Sequence, residues 1–218
     1  MEVTKLATQR DVWTEDEVVD VTGADLVLRT YIEQAEVRRY LAHVAHRTEL
    51  SIGCDVGAGY GRMSSVLKEF CDCVVAFERE VSLVHKGANL LPTVQYRQID
   101  SLKSLPASDD EFDFALSFTV LQHLSDTLAK ATIAEIHRIV RRDGYVLLCE
   151  ETNDAERVDR PVNPHADYTA RSLELYKEWM APFQLVASSP RLIERSYPRK
   201  NVGEYMLFCA RPTRPASG

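Results

Sequence analysis

Apolar positions recur at two different periods along the chain, and the change of period divides it. Up to about residue 47 the spacing is helical: Val37, Leu41 and Val44 fall three and four apart, Thr14 and Glu17 have capping-box spacing, and Thr22-Gly23 splits the segment into two predicted helices. From Leu50 onward, short apolar runs alternate with amphipathic stretches. Strands are predicted over Leu50–Val56, Cys73–Phe77, Val94–Ile99, Phe112–Phe118 and Tyr145–Glu150, with helices over Arg62–Phe70, Val81–Ala88 and Asp126–Arg141 between them. The last of these helices is the best marked. Ile133, Ile136 and Val140 share a face, Ser125 or Asp126 caps the start, Arg141-Arg142 complement the last turn, and Gly144 lies beyond it. A helical piece at Ser172–Met180 and two strand-like runs, Phe183–Ala187 and Glu204–Ala210, complete the pattern.

Such alternation predicts an α/β fold with a doubly wound, mostly parallel sheet, because parallel strands need crossover helices. A ligand site is then expected at the carboxyl ends of the strands, where the strand order reverses. Functional residues should follow Val56, Phe77, Ile99, Phe118 and Glu150. The expected division is a helical arm over 1–47, a sheet domain over 48–211, and a Pro-, Ser- and Gly-bearing tail over 212–218.

Composition adds limits. The 218 residues, 45% hydrophobic and 27% charged, suit one well-buried domain. A formal net charge of −7 gives no overall attraction to nucleic acid or anionic membranes. Arg191, Arg195, Arg199, Lys200, Arg211 and Arg214 could form a local basic patch, although scattered surface cations are the simpler reading. The start, MEVTKLATQR, lacks the apolar core of a signal peptide, and no apolar run is long enough for a membrane span. Five cysteines without zinc-ligand spacing read as buried free thiols, so a cytoplasmic protein without a metal is expected.

The chemistry concentrates after the predicted strands. In CDVGAGYGR, Cys54 to Arg62, Gly57 and Gly59 let the backbone turn sharply and approach a ligand, and the amides of the following helix offer donors to negative charge. Glu78 ends the second strand about twenty residues later, where a carboxylate can accept both hydroxyls of a ribose. Asp100, after the third strand, can accept the exocyclic amine of adenine, with Ser101 supplying a backbone amide. A nicotinamide fingerprint would space its glycines G-x-G-x-x-G, whereas here they stand at 57, 59 and 61. Asp55, just before the turn, also suits an ammonium better than a pyrophosphate.

With the segments DEFDFALSFTVLQHL and EIHRIVRRDGYVLL, these motifs resemble the class I S-adenosylmethionine-dependent methyltransferases, from about Leu50 to Glu150 and more loosely to Arg211. The resemblance implies S-adenosyl-L-methionine as cofactor, a seven-stranded sheet with an antiparallel last strand at Glu204–Ala210, and an N-terminal helical lid carrying Tyr31, Gln34 and Arg38. It implies cofactor contacts from Asp55, Gly57, Ala58, Gly59, Glu78, Arg79, Asp100, Ser101 and Phe118. Glu at position 78, where Asp is more frequent, remains competent for ribose.

Methyl transfer from a sulfonium needs alignment and a dry pocket, and a base only for a hydroxyl or protonated amine acceptor. His123 is the candidate base; packing against the cofactor or capping the next helix is its alternative role. Glu150, His165 and Tyr168 are expected to line the acceptor site, since the segment after the fifth strand commonly does so in this family. The fourth strand lacks the Asn/Asp-Pro-Pro-aromatic tetrapeptide usual in members that methylate base amines or glutamine. The expected acceptor is therefore a small molecule rather than protein or RNA, nucleic acid is not an expected partner, and a homodimer is compatible with the sequence. A binding protein that kept the fold without the chemistry is the reading from another class.

Overall fold

The computed structural model describes residues 24–152, 158–163, 166–192 and 202–210. A long helix, α1 (Ala24–Ala45), leads into strand β1 (Ile52–Val56), helix α2 (Ser64–Leu67), β2 (Cys73–Glu78), α3 (Val81–Leu90) and β3 (Gln95–Gln98). β4 (Phe112–Phe118) runs into a 3-10 turn at Leu121–His123, followed by α4 (Asp126–Ile139) and β5 (Val140–Thr152). A hairpin, β6 (Val158–Asn163) and β7 (Ala166–Ala170), precedes α5 (Leu173–Met180), β8 (Gln184–Pro190) and β9 (Val202–Cys209).

Seven strands form one sheet in the order β3-β2-β1-β4-β5-β9-β8. The first five are parallel, whereas β9 runs antiparallel to both β5 and β8. The expected mostly parallel seven-stranded sheet with an antiparallel last strand is therefore found. The order reverses between β1 and β4, which brings the ends of β1, β2, β4 and β5 to one edge.

Alternate strand residues feed two cores, as the two-residue period of a strand requires. Val75, Phe77, Val146 and Leu148 face Ile133, Ile136 and Tyr176 of α4 and α5. Val74, Ala76, Leu116 and Leu147 face Val37, Leu41 and Val44 of α1 and Val66 and Leu67 of α2. Helices cover both faces, so the inner strands β1, β2 and β4 are buried almost throughout, whereas the edge strand β8 alternates. Among the described residues no helix is long and apolar enough to cross a membrane.

Several boundaries differ from expectation. The helix predicted over Arg62–Phe70 is regular only at Ser64–Leu67, with irregular turns on either side. The helix predicted to Arg141 ends at Ile139, and Val140 already pairs with Phe112 in β5. Arg141 is drawn away by Asp113, 2.8 Å distant, and His137 and Arg138 are the basic residues of the last helical turn. Ser125 is the cap, accepting from the Leu128 amide. The β6–β7 hairpin was not predicted. The Asn163-Pro164 dipeptide between the two runs was its available sequence signal. Thr14, Glu17 and Thr22-Gly23 lie outside the described residues.

Candidate functional site

After Val56 the chain turns tightly. Gly57 and Gly59 have φ of 77° and 58°, values open to glycine at no steric cost. A Cβ on Gly57 would lie 2.6 Å from the Val120 side chain, whereas nothing stands within 4 Å of one on Gly59. The first glycine is required by the wall behind the turn, and the second leaves an open face above it. The amides of Gly57 and Ala58 donate to the Phe77 carbonyl at 2.9 and 3.0 Å, which ties the turn to the end of β2.

Glu78 closes that junction from the other side. One of its oxygens accepts the Gly59 amide at 2.7 Å, and the other accepts the amides of Arg79 (2.7 Å) and Glu80 (2.8 Å). A carboxylate offers about four lone-pair sites, so one remains, on the oxygen shared with Gly59. One ribose hydroxyl can donate there without displacing the turn; two require the Gly59 bond to yield. The open face over Gly59 and the acceptor beside it fit an adenosyl group. Asp100 stands exposed on the same edge, just past Ile99, whose amide bonds the Glu78 carbonyl at 3.0 Å. Ser101 turns the chain by accepting from the Ser104 amide.

Asp55 lies beneath the turn rather than in front of it. It is buried, and its carboxylate accepts the Ser64 hydroxyl at 2.7 Å. Burial pushes its carboxyl up to about 7, against the lowering effect of the Ser64 bond. Glu150 is raised to about 7 as well, by burial that outweighs three backbone amides and Arg171. Both groups bind protons more tightly in the folded chain than when unfolded. Their contribution to stability is complete below their ordinary values and is lost as pH rises through about 7. Unfolding free energy measured in urea should fall by about 2–4 kcal/mol between roughly pH 5 and pH 8. Asp55→Asn should remove part of that slope; an unaltered slope would show that Asp55 does not carry it.

Beyond β4 the backbone is strained. Thr119 has φ of 56°, a left-handed conformation that is an outlier for a β-branched residue. Outliers of this kind concentrate at functional sites. No sequence signal marks Thr119, because the strain exists only once the neighbouring segments hold it. His123 ends the 3-10 turn that follows, half-buried, with its Nε2 3.2 Å from Nε2 of Gln122.

Two expected residues prove to be interior. Phe118 is flanked by the guanidinium groups of Arg62 and Arg191 at 5.0 and 5.6 Å and by Tyr205, so its ring faces are occupied by protein. Glu150, expected to line the acceptor site, is fully buried and accepts the amides of Val120, Leu121 and Gln122. It caps the turn that carries His123. His165 lies outside the described residues, and Tyr168 stands in β7 opposite Arg160.

The arm is fastened over this edge. Glu33 of α1, fully buried, pairs with Arg62 of the turn, with Arg191 and with Arg29. Burial alone would raise its carboxyl, but Arg191, Arg62 and Arg29 outweigh that and hold it at about 2. Gln34 donates to the Arg62 carbonyl at 2.8 Å, and Arg38 makes a two-pronged contact with Glu69 at 2.6 and 2.7 Å. Tyr31 is exposed. Arg191, read in the sequence as part of a basic patch, is instead buried against Glu33; Arg195, Arg199, Lys200, Arg211 and Arg214 fall outside the described residues.

Comparison with known proteins bears on the family and the fold. Residues 54–148 match the family model of a methyltransferase domain. No curated protein matches the chain by sequence. A SAM-dependent methyltransferase of Leishmania major is similar in structure, with TM-score 0.69 and 18% identity over 87% of this chain and 75% of that one. So is the 1,6-didemethyltoxoflavin-N1-methyltransferase of Burkholderia thailandensis, with 1,6-didemethyltoxoflavin and S-adenosylhomocysteine bound (TM-score 0.64, 20% identity, 92% of this chain and 81% of that one). The [4+2]-cyclase SpnF is also similar, with TM-score 0.64 and 16% identity over 85% of this chain and 93% of that one.

Proposed function

Because the chain is a class I S-adenosylmethionine-dependent methyltransferase with a Rossmann-like fold, we propose that it transfers the methyl group to an oxygen or nitrogen of a small molecule. The observation that carries this reading is the pairing of the arginines at the site edge. Arg62 and Arg191 are both drawn inward onto the Glu33 carboxylate, Arg191 fully buried, so their guanidinium groups are engaged within the fold rather than displayed to a polyanion. The Burkholderia enzyme of the same fold, which holds 1,6-didemethyltoxoflavin, supports the same class of acceptor. The buried cysteines Cys54, Cys71, Cys149 and Cys209, none of them in a disulfide, are consistent with a reducing cytoplasm.

Adenosylmethionine, when bound, supplies an electrophilic methyl carbon on sulfur. The chain supplies the rest. Glu78 and the open face at Gly59 receive the adenosyl end, with Asp100 at the adenine side. Ser101, Arg79 and Ala58 belong to the same rim as backbone contributors. Asp55 sets the turn from below through Ser64. His123, on the acceptor side, takes a proton from the nucleophile where the acceptor has one to lose. The β6–β7 hairpin and the arm close the acceptor side.

The test uses adenosylmethionine labelled in the methyl group, incubated with the enzyme and a cell extract. Label is expected in the low-mass fraction, with turnover little changed by salt. Label in protein or RNA, with activity falling steeply as salt rises, would reverse the assignment of acceptor. On the acceptor so found, His123→Ala should lower turnover by about a hundredfold or more. Full turnover would leave His123 a packing role.

A further inference from the structure

We propose that Glu150 and Arg171 are positioning residues, which together fix the bend at Thr119 and hold His123 at the acceptor side of the site. The proposal rests on the methyl-transfer reading above. Both residues are fully buried, so neither touches a ligand, and neither was needed to account for cofactor binding.

The segment between β4 and α4 is gripped at both ends. At its start, the Thr119 amide donates to the Cys149 carbonyl at 2.7 Å. The next three amides, of Val120, Leu121 and Gln122, converge on the Glu150 carboxylate at 3.2, 3.0 and 2.9 Å. At its end, the Arg171 guanidinium donates to the carbonyls of Leu121 (2.7 Å) and Leu124 (2.6 Å) and to Asp126 (3.0 Å). Gln122 adds a third hold, accepting the Glu151 amide at 2.9 Å while its other side-chain atom faces the His123 ring.

The left-handed backbone at Thr119 explains why so much is gathered here. Such a conformation costs about 1–3 kcal/mol and persists only where its surroundings over-determine it. Three consecutive amides aimed at one carboxylate supply that determination. Two buried charges are a poor device for stability alone, since apolar side chains of similar volume often serve as well. What an apolar pair could not do is select one orientation of the 120–124 backbone. The bend also sets the Val120 side chain against Gly57, so the same clamp aligns the acceptor side with the cofactor turn. Arg171 directly follows β7 and bridges Thr152, which joins the hairpin to the clamp.

Three variants test this: Glu150→Gln, Glu150→Asp and Arg171→Lys. Glutamine removes the charge, aspartate keeps the charge but is too short to reach all three amides, and lysine keeps the charge without the planar fork. The readouts are calorimetric titration with S-adenosylhomocysteine, the ring resonances of His123 in histidine-labelled protein, and kcat and KM on the acceptor identified by labelling. All three variants should shift the His123 resonances while those of the remote His43 and His85 stay in place. Affinity for S-adenosylhomocysteine should stay within about threefold of the parent, with kcat lowered about tenfold or more. Unchanged His123 resonances in Glu150→Asp would assign Glu150 a purely electrostatic effect and overturn the proposal. Loss of the cooperative thermal transition in all three variants would assign the pair to the fold at large and overturn it too. Failure of the parent to bind S-adenosylhomocysteine would overturn the methyl-transfer reading instead, and the His123 comparison would still be legible.

Discussion

Replacing Glu78 by alanine weakens binding of S-adenosylhomocysteine about a hundredfold. The side chain has two tasks at once, and alanine ends both. In the proposed cofactor site it offers a charged acceptor to the ribose, a type of hydrogen bond that contributes about 1.5–3 kcal/mol. It also anchors the amides of Gly59, Arg79 and Glu80. Without it, the Gly59 amide loses its partner and the open face above that glycine loses its shape. Glu78→Gln separates the tasks, because the amide oxygen can still accept while its NH2 faces donors on the other side; its loss should be intermediate. Isothermal titration of the parent and both variants measures this directly. Undiminished affinity in Glu78→Ala removes the residue from the cofactor site.

The second large effect is on stability. Glu33→Leu should lower the unfolding free energy by about 3–5 kcal/mol, because it leaves Arg191 buried with its main counter-charge gone. In a chain of this length that corresponds to a fall in melting temperature of about 6–20 °C. The double variant Glu33→Leu with Arg191→Leu should recover much of the loss, since an apolar pair can replace a buried ion pair. The sign of the pH effect is opposite to that of Asp55 and Glu150. Glu33 is held at about 2, so its contribution is present above its ordinary value of 4.5 and disappears as pH falls through about 2. Thermal melts at neutral pH, with the double variant as control, decide the matter. A melting temperature unchanged in Glu33→Leu would mean that α1 is held by its apolar face alone.

These two residues differ in how far the chain discloses them. Glu78 could be found by reading: an acidic residue ends an apolar run at a fixed distance from a glycine turn, and both features are local. Glu33 could not. It reads as one more charge on a helix, and its partners Arg62 and Arg191 stand far away in sequence. Glu150 is legible only in part. Its place after the fifth strand pointed to the ligand edge, which is where β5 ends, but its side chain points back under the turn from β4.

The sequence by itself determined the alternation of strands and helices that builds the main sheet, its mostly parallel character and the glycine turn after its first strand. Each of these is encoded in periodicity, in residues with unusual backbone freedom, or in short fixed spacings. The tertiary structure decided which charged groups are interior, which way the carboxylates of Asp55 and Glu150 face, and that Thr119 is strained. Those outcomes depend on contacts between segments distant in the chain, where a buried charge is tolerated only if a partner from another element meets it. The partner is a property of the packed fold and leaves no mark in the local pattern.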